Sequence, residues 1–266
     1  MLLLLPPSET KRSGGTGVFD PSRLRFADEL DESRSRVRSA LEALSADEES
    51  AAKALKLGVK NRGELGHNLR LGDSGVLPAI ERYTGVLYDA LDVATLDERS
   101  RAWLDDHVAV QSALFGIIGA GDEIPAYRLS ASSRLPALGV PLKRLWAGAH
   151  SDVAWSDAPG IVLDLRSQDY GALAPLPAGA GWFVHVAQRS DDGEVRALNH
   201  FNKAAKGDLV RRLAQSQAAI DDVDALLQWG EGAGLELHAD PDDRLLTLVT
   251  DLGAPGRATS RETDAG

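Results

Sequence analysis

The chain has 266 residues, 43% hydrophobic and 26% charged, an ordinary globular composition with enough apolar material for a sizeable core. Its 29 Lys and Arg face 40 Asp and Glu, a formal net charge of -11, so long-range attraction to nucleic acid or anionic lipid is disfavoured and such a partner needs a local basic patch. Cysteine is absent, which excludes disulfides, thiolate metal sites and thiol peroxidase chemistry.

The apolar run Leu2 to Leu5 stops at Pro6-Pro7 and predicts a short buried strand, too short for a signal peptide or membrane span, so a cytoplasmic protein is expected. Ser8 to Gly17 is a polar, Gly-rich loop. Leu30, Val37, Leu41 and Leu44 recur at helical spacing among charges that read as a solvated face. Ser45-Ala-Asp-Glu48 reads as a capping box opening a helix over Ala46 to Leu57, and Thr95-Leu-Asp-Glu98 repeats the signal before Trp103 and Leu104. Pro141 to Trp155 is helical by pattern, with Leu142, Leu145, Trp146, Ala149 and Val153 on one side.

The second half predicts a strand at Ile161 to Leu165 and a hairpin of Trp182 to Ala187 with Val195 to Phe201, turning at Asp191-Asp-Gly193. Helices follow at Lys203 to Ser216 and Ala218 to Trp229, then a hairpin of Leu235 to His238 with Leu245 to Val249. The expectation is one mixed α/β (α+β) domain over 1–252, a central mixed sheet with surrounding helices, and a disordered tail at 253–266.

Basic residues are not spread evenly. Between Ile124 and Ser151 stand Arg128, Arg134, Lys143 and Arg144 with no acidic residue, and Lys203 to Arg212 holds four basic residues against Asp208 alone. Lys11-Arg12 forms a smaller island. Lys203 and Lys206 fall at a predicted helix start, where the macrodipole disfavours cations; either an anion is bound there or both side chains reach into water. The same segments carry the tyrosines and unusual polar runs.

In order and spacing, LLLLPPSETK at 2–11, YTGVLYDAL at 83–91, IPAYRLSASSRLP at 124–136, LDLRSQDY at 163–170 and HFNKAAKGDLVR at 200–211 resemble the YaaA family of peroxide stress proteins. The resemblance covers nearly the whole chain. It implies the mixed α/β fold of that family, a cytoplasmic location, a role in surviving hydrogen peroxide by limiting free iron, and binding of duplex DNA through a basic cleft and a helix-hairpin-helix element. Carried over by position, it points to Ser8, Lys11, Tyr88, Arg128, Ser167, Tyr170, Lys203, Lys206 and Gly207 as the anion- or DNA-binding cleft. The candidate helix-hairpin-helix falls near Ala51 to Leu69, with Gly58, Lys60, Asn61, Arg62 and Gly63 able to approach a phosphate. Better-known members read Ser-Pro-Ala-Lys-Thr after the first strand, where this chain has Pro6-Pro-Ser-Glu-Thr-Lys11.

Six scattered histidines offer no pair at helical metal-binding spacing, so no metal and no cofactor is expected; His200 could share a cleft with Asn202 and Lys203. Ser167-Gln-Asp169 lacks the hydrolase elbow, and the Ser8 loop lacks Walker spacing. Two function classes remain: a non-enzymatic stress protein bound to duplex DNA, or an enzyme acting on a phosphate-bearing nucleotide or nucleobase. In the second, Arg128, Lys203 and Lys206 would bind the anion and Tyr88, Tyr170, Asp169 and Ser167 would supply stacking and proton transfer.

Overall fold

The computed structural model describes residues 1–153, 160–189, 195–197 and 202–250. The first half carries β1 (Leu2–Leu5), α1 (Ala27–Ser45), α2 (Glu48–Ala54), α3 (Leu65–Asn68), β2 (Leu77–Pro78), α4 (Ala79–Arg82), α5 (Val86–Leu91) and α6 (Glu98–His107). Then come β3 (Val108–Ser112), β4 (Gly116–Gly119), β5 (Glu123–Ile124), α7 (Leu142–Ala149), β6 (Val162–Asp164) and α8 (Gln168–Gly171). The chain continues through β7 (Trp182–Arg189), β8 (Val195–Ala197), α9 (Asn202–Ser216), α10 (Val223–Gly232), β9 (Glu236–Asp240) and β10 (Leu245–Val249).

The central sheet runs β4-β3-β1-β6-β7-β10-β9, with β8 added to β7, and β2 pairs with β5 in a small separate sheet. β1 lies between β3 and β6, parallel to both, and is buried on both faces, which is why it reads as four consecutive leucines. The interior strands β3, β1, β6, β7 and β10 are all parallel, so their C-terminal ends share one edge. The strand order reverses between β1 and β6: the chain leaves β1 towards β3 and leaves β6 towards β7. Loops after two such strands part to opposite sides and open a crevice where ligands of open α/β sheets characteristically bind.

β7 helps to shape that crevice. Only Trp182 and Phe183 face β6, while Ala187 faces Val249 of β10 and also Ala197 of β8. β8 therefore occupies the β7 edge that β6 has left, standing roughly 13 Å beyond the end of the β6 ladder at about 3.3 Å per residue. The helices form two packed groups, α1 with α2, α3 and α7, and α9 with α5 and α6.

The first strand, the second-half strands and the long helices match the sequence reading closely. Both capping boxes are displaced. Ser45 is the last residue of α1, buried, with its Oγ accepting from Asn68 Nδ2 at 3.1 Å; Asp47 caps α2 instead, accepting from Ser50 N at 2.7 Å. Asp97, not Thr95, caps α6, accepting from Ser100 N at 2.8 Å, because a carboxylate nearer the first turn is the stronger acceptor. The helix expected to reach Trp155 ends at Ala149 in a 3-10 turn over His150–Asp152, and α10 starts five residues late because Asp222 caps it. Trp155, the Asp191–Gly193 turn, the end of the second hairpin strand at 198–201 and the tail at 253–266 lie outside the described residues.

The charged face of α1 is only partly solvated. Arg34 lies between Leu30 and Val37 on the apolar stripe and is fully buried. It donates to the carbonyls of Phe115 (2.8 Å), Ile117 (2.9 Å), Arg25 (2.6 Å) and Phe26 (3.3 Å), spending the guanidinium on loop backbone that would otherwise be unsatisfied. Among the described residues no helix is long and apolar enough to cross a membrane.

Candidate functional site

The loop after β1 is pinned open along the crevice by backbone bonds to the end of α4. Arg12 N donates to Arg82 O at 2.8 Å and Thr84 N to Thr10 O at 3.2 Å, so Lys11 lies opposite Tyr83. Arg82, fully buried, holds the far side of the loop through the carbonyls of Arg12 (2.5 Å) and Gly14 (3.0 Å). Gly85, at φ 97, brings α5 against the loop; a Cβ there would stand 3.3 Å from Ser8 Oγ, in a conformation that L residues rarely adopt.

Lys11 is the centre of this arrangement. Its Nζ donates to Ser8 O at 2.9 Å and sits 4.1 Å from the Tyr127 ring centroid and 5.4 Å from that of Tyr83. Burial pulls its ammonium down to about 7; Arg128 and Arg82 act in the same direction, and Glu9 and Glu64 oppose it. Below the amine runs a chain of hydroxyls, Ser112 Oγ to Tyr127 OH at 2.8 Å and Tyr127 OH to Tyr83 OH at 2.8 Å. Tyr88 stacks beside Tyr83 with ring centroids 5.4 Å apart and donates to Pro6 O at 2.8 Å. Tyr170 is held by the backbone of Ala131, and burial, with Glu9 and Tyr83, raises its phenol above the ordinary range. All four tyrosines of the chain thus gather around the loop that follows β1.

Arg128 reaches this loop from the other side, but it is not a free cation: it pairs with Glu9 at 3.1 Å and Glu64 at 3.2 Å. Lys206, on α9, is buried, donates to Leu165 O at 2.9 Å just beyond β6, and lies 5.3 Å from the Phe183 ring. Desolvation lowers its ammonium to about 8, with Asp164 opposing. Lys203 is exposed and Ser167 is an exposed residue preceding α8. Of the two lysines weighed together in the sequence, one reaches water and one does not.

Gly207 has a packing role. A Cβ there would come within 2.1 Å of Leu87 O, so the glycine lets α5 and α9 cross closely. In the segment read as a helix-hairpin-helix, α2 leads through Leu55–Gly58 into a 3-10 turn over Val59–Glu64 and the single turn of α3. Arg62 there is bound to Glu49 at 2.5 Å and Glu48 at 3.4 Å, while Lys60, Gly58, Asn61 and Gly63 are exposed. His200 lies outside the described residues, and among those described no group of metal-ligating side chains comes together.

A cavity of about 520 Å³ adjoins the crevice at Ala131, the residue whose backbone holds Tyr170. Leu135, Pro136, Val140 and Leu142 give it apolar walls, and Arg134 and Lys143 stand at its rim. Neither cation has an ion-pair partner among the described residues.

The full length of this arrangement falls within one known family. A family model described as Peroxide stress protein YaaA matches residues 1–240. The chain belongs to the YaaA family of peroxide stress proteins. It is 40% identical over 254 residues to a UPF0246 protein of Corynebacterium glutamicum, covering 94% of this chain and 100% of that protein. A UPF0246 protein of Streptomyces coelicolor is 38% identical over 248 residues, covering 90% of this chain and 93% of that one. One from Roseobacter denitrificans is 31% identical over 163 residues, covering 58% and 62% of the two chains.

Within this YaaA-family frame, sequence reasoning passed over Tyr83, Tyr127, Ser112, Glu9 and Arg82. The first two are buried. What marks them is the polar chain they form, which exists only after β3 and the Tyr127 segment come together.

Proposed function

We propose that this YaaA-family protein limits iron-driven oxidative damage during peroxide stress through a phosphate-bearing nucleotide bound in the crevice and its adjoining cavity. The observation that carries the reading is the cavity of about 520 Å³, within the range of small-molecule sites, with apolar walls for a ring and, for an anion, Arg134 and Lys143, which have no ion-pair partner among the described residues. Family membership supports the stress role. The strand-order reversal supports the location.

Duplex DNA binding is the second reading, favoured by the exposure of Arg12, Lys60, Arg134, Lys143, Arg144 and Lys203. Against it stand the ion pairs of Arg62 and Arg128, two cations that a phosphate backbone would have to win from carboxylates.

Thermal melts with nucleotides and anisotropy with a labelled duplex separate the two. The proposal expects nucleotides to raise the unfolding midpoint, the rise to vanish in Arg134→Ala/Lys143→Ala, and duplex binding to be weak and steeply salt-dependent. Nucleotides without effect, beside tight duplex binding at moderate salt, would replace it with the DNA reading.

A further inference from the structure

The loop after β1 turns tightly between Pro6 and Lys11. Lys11 Nζ folds back onto Ser8 O at 2.9 Å and Glu9 O at 3.4 Å, and Thr84 Oγ1 donates to Thr10 Oγ1 at 2.9 Å. The backbone of this turn is therefore fixed without help from the Glu9 carboxylate. Arg128 is fixed from its own side: its N–H donates to Oδ1 of the fully buried Asn68 at 2.7 Å, and its carbonyl accepts from Asn68 Nδ2 at 3.0 Å. The guanidinium spans the gap between the two segments. Nη1 donates to Glu9 O and to Glu64 Oε2, each at 3.2 Å, and Nη2 pairs with Glu9 Oε2 at 3.1 Å.

The Glu9 side chain is 49% exposed, against 32% for Glu64 and 14% for Arg128. Glu9 can thus swing into water by side-chain rotation alone, with its carbonyl still held by Arg128 and Lys11, and it recovers rotamer freedom in doing so. One guanidinium between two carboxylates gives this clasp a net charge of -1, which repels an anion entering the crevice. With Glu9 turned away the clasp is neutral and Nη2 is open. A phosphate then presents two oxygens to a guanidinium, the fork geometry that arginine matches best. The position suits a ligand shared between crevice and cavity. Tyr170 feels the charges of both Glu9 and Arg128, and its partner is the backbone of Ala131, a wall of the cavity.

We propose that Glu9 is a built-in competitor for the phosphate site: without ligand its carboxylate occupies Arg128, and a phosphate-bearing ligand displaces it and takes its place on the guanidinium. Arg128 is then the inner phosphate contact, and Arg134 and Lys143 at the cavity rim are the outer one. A small ligand has a single half-exposed carboxylate to displace. The clasp sets a threshold of affinity and selects for anions, because an uncharged ligand gains nothing from its opening. The inference rests on the nucleotide reading for where the ligand lies, and on the geometry of the clasp for the exchange.

Titration calorimetry of the full chain at low ionic strength tests it, with ADP, inorganic phosphate and, as the uncharged control, adenosine. Glu9→Gln keeps the main-chain tethers and removes the charge. It is expected to tighten ADP and phosphate about three- to tenfold, the worth of one partly screened ion pair together with the lost repulsion, and to leave adenosine unchanged. The gain should shrink as salt is added. Arg128→Gln, checked for an intact melt, should weaken both anions and remove most of the Glu9→Gln gain in the double variant. Three results overturn the proposal: unchanged or weaker anion binding in Glu9→Gln, a gain that survives in full without Arg128, or no binding of either anion to wild type and Glu9→Gln alike. ADP binding that needs Arg134 and Lys143 but ignores Glu9→Gln leaves the nucleotide reading standing without the clasp. Phosphate binding that responds to Glu9→Gln, beside no binding of ADP, counts against the nucleotide reading alone.

Discussion

Replacing Gly207 by alanine perturbs the crossing that carries α9 past α5 and sets Lys206 over the end of β6. In an open helix the change would stabilise by about 1 kcal/mol, since alanine is the better helix former. Here the new Cβ would lie 2.1 Å from Leu87 O and 3.0 Å from Ala90 Cβ, so the helices have to part by about 1 Å. The crossing is lined by Leu87, Leu91, Leu209 and Val210, all buried, and a gap of that size forfeits roughly a quarter to a half of each atomic contact across it. Overpacking of this kind costs about 1–3 kcal/mol; with lost contacts added and the propensity gain subtracted, the net expectation is about 2 kcal/mol of destabilisation. Urea titration should show the midpoint falling with an unchanged slope, and a thermal melt should drop by about 4–8 °C. Gly148→Ala in α7, where nothing lies within 4 Å of the added Cβ, is the control and should be neutral or mildly stabilising. A Gly207→Ala protein as stable as wild type would refute the packing role.

Arg34→Leu should cost about 3–5 kcal/mol, because it leaves buried carbonyls of the Phe26 and Phe115 segments without a donor; urea titration measures it. His150 is neutral in the fold: its Nε2 accepts from Ile117 N at 3.1 Å, so Nδ1 donates to Trp146 O at 2.7 Å, and burial lowers its pKa from 6.5 to about 4. A depressed histidine favours the fold fully above 6.5 and loses that contribution as pH falls towards 4, about 3 kcal/mol in all, so His150→Gln should flatten the stability loss between those pH values. Lys206 is also depressed, so at pH 7 its buried charge opposes folding: Lys206→Met should raise stability by about 1 kcal/mol at pH 7 and by less at pH 10, where the native amine is already neutral.

The parts of the fold that were legible in the sequence are those whose pattern is local. Leu2 to Leu5 read as a buried strand because four leucines before two prolines admit little else, and the β9–β10 hairpin was marked by its Asp-Pro-Asp-Asp turn. VAVQS at β3 and GIIG at β4 carried no such mark, since Gln111 and Ser112 break the apolar run although both are fully buried. Arg34 read as part of a solvated face for the same reason: its acceptors are backbone carbonyls that become neighbours only in the folded chain. Of the candidate site, Lys11, Tyr88, Arg128 and Tyr170 were reached through the family motifs, and the structure gathers them around one loop. The carboxylates that bind Arg128 were invisible because Glu9 and Glu64 are more than sixty residues from it.

The proposed ligand site is the crevice between β1 and β6 with the cavity beside it. Hydrogen–deuterium exchange with and without a saturating nucleotide tests it most directly, because protection is read segment by segment. A nucleotide bound there is expected to slow exchange over 6–12, 83–89, 131–143 and 165–171, and to do none of this in Arg134→Ala/Lys143→Ala. Unchanged exchange in all four segments, with protection by duplex DNA over 55–64 instead, would contradict it.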